Sequence, residues 1–320
     1  MANPATPEAI LRRLEWTVIR RLDGLLQGDY RTLFRGAGLD LADLREYQHH
    51  DDVRHIDWNV TARLQQPYVR QFTEDRELTA WFLLDLSGSV EFGSQRSKRS
   101  VSTEFVAVLA RLLTRHGNRV GAMLYGNSLD DVLPARNGRA HVLHLLQRMS
   151  KHTTPQAKTQ TQLQDLLQRA APLIPRRSTV FVVSDFISAP GWGDALARLA
   201  LRHEVLAVRL YDPLEMELPD LGMVTMQDAE TGEQLLVDTR DPGFRARFAK
   251  AADQQEAELR TALTRAGVDA LELSTDEDLV NTLLRFVELR RRRSQLSAGG
   301  GLPAHLKPLP TEKPNDLRVA

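Results

Sequence analysis

The chain of 320 residues contains no cysteine, and its positive and negative charges balance. The absence of cysteine excludes disulfide bonds, thiolate catalysis and cysteine-ligated zinc or iron–sulfur clusters. The 42 Lys and Arg residues match the 42 Asp and Glu residues, so no net field attracts the protein to nucleic acid or to an anionic membrane surface. A nucleic-acid role is therefore disfavoured.

Long apolar runs and a secretion signal are also missing. No stretch approaches the roughly 20 apolar residues that a membrane-spanning helix needs. The N-terminus lacks a basic region followed by an apolar core. We therefore expect a protein without a membrane span, located in the cytoplasm.

A phosphate-binding glycine loop is absent as well. The segment 93–99 begins with a glycine and contains Lys98, but such a loop needs a second Gly directly before the Lys and a Ser or Thr after it. This chain has Ser97 and Arg99 at those positions. We expect Lys98 to lie near the start of a helix instead.

Buried apolar strands alternate with amphipathic helices over most of the chain. This alternation predicts an α/β fold, a doubly wound and mostly parallel sheet with helices on both faces. An edge strand is predicted around 131–133. Ser274 and Glu277 suggest a capping box for the terminal helix. The predicted main strands are 80–84, 119–125, 178–186, 204–211 and 268–273.

Three parts of the chain are expected. Residues 1–75 comprise an N-terminal helix, predicted from Thr6 to about Gln27, and an irregular segment with short strands. Residues 76–293 form the α/β domain, with a hairpin inserted near 221–238. Residues 294–320, rich in Gly and Pro, form a flexible tail.

Three oxygen-bearing side chains follow the first buried strand. Asp85 comes directly after residues 80–84, and Ser87 and Ser89 follow at alternate positions. Ligands of open α/β sheets bind beyond the carboxyl ends of the strands, and carboxylate and hydroxyl oxygens suit a hard cation. An Asp–Ser turn after a strand is also ordinary turn chemistry, so the pentapeptide alone leaves both interpretations open.

This D-x-S-x-S pattern resembles the metal-ion-dependent adhesion site of the von Willebrand factor A family. The resemblance implies that Asp85 and both serines hold Mg2+ directly or through water, with Mn2+ able to replace it. It further implies a Thr from a loop and an Asp at the end of a later strand. Thr161 and Asp185 occupy the matching positions, with Thr159 as the alternative to Thr161.

The segment ahead of this strand is similar to the signature of a bacterial family known as domain of unknown function 58. The matching motifs are 44–47, 51–58, 61–63 and 69–70. Members carry this segment directly before a von Willebrand factor A-like domain. The resemblance covers the chain from about Gly36 to about Arg292, and it implies the same fold class as the strand and helix pattern.

One departure from that signature raises a second metal hypothesis. Many members have Pro-Gly ahead of the paired aspartates, where this chain has two histidines. The cluster can be read as a zinc site, but polar loop residues of this kind are usually solvated or paired, which is the interpretation we favour. The residues concerned are His49, His50, Asp51, Asp52, His55 and Asp57.

The resemblance implies a non-enzymatic interaction protein whose Mg2+ keeps one coordination position open for a partner's carboxylate. It also implies a MoxR-type AAA+ ATPase as the partner, and a chaperone-like role in the assembly or maturation of client proteins. The alternative is an enzyme, either a metal-assisted hydrolase at the same cation or one with Ser87 as nucleophile. We disfavour an enzyme because Ser87 has no obvious base, and Asp85 and Asp185 are used by the metal.

Overall fold

A six-stranded sheet lies at the centre of the computed structural model. The structure describes residues 6–19, 22, 43–48, 53, 56–71, 78–126, 128–152, 161–227 and 233–297. The strands within these residues are β1 (Asp43–Glu46), β2 (Tyr68–Gln71), β3 (Thr79–Asp85), β4 (Arg119–Tyr125), β5 (Leu129–Arg136), β6 (Thr179–Ser184), β7 (Glu204–Tyr211), β8 (Met223–Gln227), β9 (Gln234–Asp238) and β10 (Asp269–Ser274). The α-helices are α1 (Pro7–Leu14), α2 (Trp58–Leu64), α3 (Lys98–Arg115), α4 (Arg139–Lys151), α5 (Leu163–Leu173), α6 (Trp192–Ala200), α7 (Pro242–Ala266) and α8 (Leu279–Ser297).

The central sheet has the strand order β10-β7-β6-β3-β4-β5. Neighbouring strands are parallel except β4 and β5, which pair antiparallel at one edge. The chain adds β4 and β5 on one side of β3 and then adds β6, β7 and β10 on the other. The strand order therefore reverses between β3 and β6. The predicted fold class, a doubly wound and mostly parallel α/β sheet, is confirmed, as are the edge strand and the β8–β9 hairpin.

Both faces of the sheet are buried, which explains why its strands read as continuous apolar runs. Along β3, Phe82 and Leu84 point into a core shared with α1, α3, α4 and α8. Trp81 and Leu83 point into a second core shared with α5, α6 and α7. The rigid sheet between these cores fixes the loops at its carboxyl edge.

The cap of the terminal helix differs from the prediction. Ser274 is the last residue of β10, and its hydroxyl donates to Asp276, so the predicted capping box with Glu277 is wrong. Asp278 caps α8 instead, because its carboxylate accepts the backbone N–H of Asn281 at 3.0 Å. Because the helix begins only at Leu279, five residues after Ser274, the Ser274 hydroxyl is too far along the chain to cap it.

The N-terminal part is more helical than its sequence suggests. After α1 the chain continues as a wider π-helical turn over Glu15–Ile19, and the predicted helix end at Gln27 lies outside the described residues. The irregular segment forms the antiparallel pair β1–β2, but it also contains α2, which the sequence analysis did not predict. Asp57 starts α2 by accepting the N–H of Val60 at 3.2 Å. The division of the chain into three parts stays a prediction.

Three phenylalanines in contact, Phe82, Phe105 and Phe181, join the strands to α3 and provide a test of the core. The rings of Phe82 and Phe181 lie 5.0 Å apart, and Phe105 meets Phe181 edge-on at 6.2 Å. We predict that Phe181→Ala lowers the free energy of unfolding by about 3–5 kcal/mol, because it leaves a cavity between two central strands. Chemical denaturation measures this change.

The matched control is Phe92→Ala, since Phe92 is 43% exposed. It should change the free energy of unfolding by no more than about 0.5 kcal/mol. Equal losses in the two variants would contradict the assignment of Phe181 to the core.

Candidate functional site

The loop after β3 gathers three oxygen-bearing side chains. Asp85, Ser87 and Ser89 are all buried. The backbone N–H of Ser87 donates to Asp85 Oδ1 at 3.1 Å, and the hydroxyls of Ser87 and Ser89 lie 3.2 Å apart. A short 3-10 turn over Gly88–Glu91 folds Ser89 back toward Ser87. The loop thus presents a carboxylate and two hydroxyls at one point of the sheet edge.

The end of β6 adds a second carboxylate to this point. Ser184, the last residue of β6, donates its hydroxyl to Asp85 Oδ2 at 2.7 Å. Asp185 follows directly and is 4% exposed. Its charge acts on Asp85, because β3 and β6 are parallel neighbours whose carboxyl ends meet. The sequence analysis did not single out Ser184, and only the strand order shows that it faces Asp85.

A sharp turn keeps Asp185 in place. Phe186 has a φ of 60°, a left-handed conformation that is uncommon for a bulky residue. Its ring packs against Trp192 with the centroids 5.1 Å apart. The N–H of Ile187 donates to Asp185 Oδ1 at 3.0 Å. Such strain is found where the surrounding structure holds a functional loop in one conformation.

The loop before α5 brings Thr161 to the same region. The carbonyl oxygen of Thr161 accepts the N–H of Ala189 at 3.1 Å and the hydroxyl of Ser188 at 2.8 Å. Both donors belong to the loop that follows Asp185. The side chain of Thr161 is buried. Thr159, the alternative, lies outside the described residues.

Burial makes the ionised form of Asp85 costly. Desolvation, followed by the charge of Asp185, raises the pKa of Asp85 to about 6, although hydrogen bonds from Ser184 and Ser87 oppose the rise. Two carboxylates confined in this way repel one another until a cation lies between them. The electrostatics therefore favour a bound positive charge at this point.

Lys98 already supplies one positive charge there. Its side chain is completely buried at the start of α3, and Nζ lies 2.6 Å from Asp185 Oδ2 and 2.7 Å from Glu215 Oε1. Burial alone would lower the pKa of Lys98, but the charges of Asp185 and Glu215 raise it on balance. The predicted place at a helix start is correct, but the role at the site was missed. No local pattern could reveal it, because the two carboxylates are 87 and 117 residues away in sequence.

The donor set is one of oxygen atoms rather than of clustered acids and histidines. Within the described ranges, no three or more His, Cys, Asp or Glu side chains form a group that could hold a metal ion. Two carboxylates with hydroxyls and water fit Mg2+, which keeps several waters and takes few carboxylates. Of the residues in the zinc hypothesis, Asp57 caps α2, and the others, His49, His50, Asp51, Asp52 and His55, lie outside the described residues.

A cleft of about 660 Å³ opens beside Asp185 and its neighbour Glu215. Asp185 and Glu215 line it on the side of the sheet edge, and Trp192 and Tyr211 contribute aromatic walls. Most of its remaining lining comes from α6, from α7 and from the loop after Asp185, so the cleft meets the site at Asp185.

The fold and the site together define an open α/β sheet with oxygen-bearing side chains at the point where its strand order reverses. A family model described as "Protein of unknown function DUF58" matches residues 43–258. The chain belongs to this family, as the sequence motifs predicted. In the part of the chain that the structure describes, no helix combines the length and the apolar character needed to cross a bilayer.

Uncharacterized relatives match most of the chain, and several solved structures are more weakly similar to it. Uncharacterized proteins of Mycobacterium tuberculosis and Mycobacterium bovis are each 39% identical over 290 residues, covering 89% of this chain and 90% of theirs. An aerotolerance-related membrane protein from Bacteroides fragilis is 13% identical with a TM-score of 0.43, covering 68% of this chain and 99% of that one. The VWA domain of SpRpn10 is 12% identical with a TM-score of 0.36, covering 65% and 94%.

The raised pKa of Asp85 predicts a pH-dependent loss of stability. Between about pH 4 and pH 6 the folded protein keeps a proton that the unfolded chain releases, so this carboxyl makes folding less favourable as the pH rises. We predict that Asp85→Asn, measured in EDTA, raises the free energy of unfolding at pH 7 by roughly 2 kcal/mol. The gain should be much smaller near pH 4 and should vanish at about pH 3, below the unfolded pKa of 3.8, where both states hold the proton.

Thermal or chemical unfolding over this pH range measures the difference. The control is Asp253→Asn, which alters an exposed carboxylate on α7. A gain that is the same at pH 4 and pH 7, or one that the control reproduces, would show that Asp85 is not the buried acid responsible.

Proposed function

We propose that the protein is a non-enzymatic interaction module that binds Mg2+ through its own oxygen ligands at the carboxyl edge of the sheet. The observation that carries the proposal is the buried pair of carboxylates, Asp85 and Asp185, which lie with the hydroxyls of Ser87 and Ser89 at the point of strand reversal. Mn2+ would bind at the same place. The proposed ligands are Asp85, Ser87, Ser89, Thr161 and Asp185.

The surrounding residues support this role by positioning the ligands. Ser184 holds one oxygen of Asp85, and the Ser87 N–H holds the other. The Ser188 hydroxyl fixes the Thr161 loop against the loop after Asp185. Bound Mg2+ supplies an electrophilic centre that can accept a carboxylate from outside the chain. A partner's Asp or Glu is the group we infer.

The contacts of Ser87 argue against an enzyme with a serine nucleophile. Its hydroxyl lies 3.2 Å from the hydroxyl of Ser89 and is also hydrogen-bonded to Asp85, a carboxylate that we propose as a metal ligand and that is then not free to act as a general base. The cation nearest the site, Lys98, is paired with two carboxylates and is held in its charged form, so it does not serve as a base either. An interaction function needs neither a nucleophile nor a general base at this site.

The metal site has a direct test. We predict that calorimetry detects Mg2+ binding to the purified protein and that Asp85→Ala abolishes it, because this change removes a charged ligand. Asp185→Ala should act similarly, and Thr161→Ala more mildly, since a hydroxyl contributes less charge. Circular dichroism should show that each variant remains folded.

Asp253→Ala, on the exposed face of α7, is the matched control and should bind Mg2+ as the wild type does. Unchanged affinity in Asp85→Ala would place the metal elsewhere.

The partner that we propose is a MoxR-type AAA+ ATPase, with the pair acting in the chaperone-like assembly or maturation of client proteins. The support is the family resemblance, together with the proposed ligand Asp185, which lines a cleft of about 660 Å³. A carboxylate from the ATPase would complete the Mg2+ shell. The site on this chain then acts as a cation-dependent switch for the association.

We predict that EDTA and Asp85→Ala weaken the complex with the ATPase by a similar factor. EDTA added to the variant should weaken it little further, because both changes remove the same interaction. A pull-down with purified components, with and without chelator, measures the coupling. Association that ignores both treatments would place the interface elsewhere, with the segment from Arg45 to Arg70 as the next candidate.

A further inference from the structure

Lys98 is the feature of the site that the proposed function does not use. Its ammonium group is fully buried and lies between Asp185, a proposed metal ligand, and Glu215, which is not one. A buried lysine held by two carboxylates is unusual, because the desolvation of each ion must be offset by close pairing. Its place beside a proposed cation site therefore calls for a functional explanation.

Glu215 is held in place by a hydrogen bond of its own. Its second oxygen, Oε2, accepts the backbone N–H of Asp212 at 3.0 Å. Asp212 is itself buried and accepts hydrogen bonds from the Ser94 backbone at 2.7 Å and from the Thr275 hydroxyl. This network joins the loop before α3 to the ends of β7 and β10. Glu215 therefore offers a fixed second acceptor for the ammonium group.

The balance of charge shows what this arrangement does. Asp85, Asp185 and Glu215 bring three carboxylates to the edge of the sheet, and among the described residues Lys98 is the cation that pairs with two of them, Asp185 and Glu215. With the site free of metal, Lys98 neutralises Asp185 and limits the repulsion between it and Asp85. With a dication bound to both aspartates, the same ammonium group repels the metal.

We propose that Lys98 is a resident counter-ion that sets the metal affinity of the site, and that Glu215 retains the ammonium group when Asp185 turns to the metal. This inference rests on the proposed Mg2+ site and adds its regulation. Lys98 is a positioning residue here, since it acts through Asp185. The arrangement keeps the metal-free protein folded and keeps Mg2+ binding weak enough to be reversible.

The first test is Lys98→Met, studied by calorimetry and by thermal unfolding of the full chain. Mg2+ should bind roughly tenfold or more tightly, because a nearby positive charge is lost. In EDTA the melting temperature should fall by roughly 5 °C or more, because Asp185 loses its buried partner. Mg2+ should then restore more stability to the variant than to the wild type.

Lys250→Met is the matched control, because it removes one positive charge from an exposed position on α7. It should change neither the affinity nor the melting temperature. A lysine with only a structural role would lower the melting temperature without tightening Mg2+ binding, so the direction of the affinity change separates the two roles.

The second test is Glu215→Gln, which leaves Asp185 as the sole charged acceptor of Lys98. Mg2+ binding should weaken by roughly threefold or more relative to Glu217→Gln, an exposed neighbour that controls for the loss of one negative charge. In the Lys98→Met background the effect of Glu215→Gln should become much smaller, because Glu215 acts through the ammonium group. Should Lys98→Met fail to fold, the comparison of the two glutamates still decides, and equal affinities would overturn the inference.

The outcomes separate this inference from the proposed function. If the wild type binds Mg2+ and Lys98→Met binds it with equal or lower affinity, the role of Lys98 is overturned and the metal site stands. Binding by Lys98→Met alone supports the counter-ion and refutes the metal function of the wild type. Binding by neither protein refutes both.

Discussion

The pairing of β3 with β6 governs the chemistry of this molecule. Because the two strands are parallel neighbours, Asp85 at the end of one lies within reach of Ser184 and Asp185 at the end of the other. Their backbones are fixed by cores on both faces of the sheet, so the carboxylates cannot separate to relieve their repulsion. This architecture concentrates negative charge beside two hydroxyls, and that combination is the basis of the proposed binding of a hard cation.

Packing and electrostatics oppose one another at this edge. The burial that keeps the site rigid also raises the pKa of Asp85 to about 6. Lys98 compensates for part of this cost through Asp185, and Glu215 holds the ammonium group in turn. A site made stable in this way without metal would release the proposed Mg2+ without unfolding, which suits a reversible interaction better than a permanent structural ion.

Much of the fold and the placement of the proposed ligands could be read from the sequence. The buried strands are recognisable in the sequence as apolar runs, such as the one that ends in Asp85. Amphipathic helices long enough to cross the sheet separate these runs. Residues at strand ends are predictable for the same reason, since parallel strands bring their carboxyl ends together. The short helix that Asp57 begins was missed, because its charged and irregular sequence carries no helical periodicity and tertiary contacts override propensity there.

Ser184 and Lys98 are two residues whose part in the site could not be predicted from the sequence. In the sequence, Ser184 is an ordinary strand residue, and only the strand order shows that it contacts Asp85. Lys98 is likewise an ordinary residue at a helix start, and only the structure shows that it contacts Asp185 and Glu215. The proposed ligands can be found from local patterns because these residues lie in short loops. The groups that change the charge and position of these ligands come from elements that are distant in sequence. The affinity of such a site is therefore a property of the whole sheet edge, and two chains with the same D-x-S-x-S loop can differ widely in how they hold a metal.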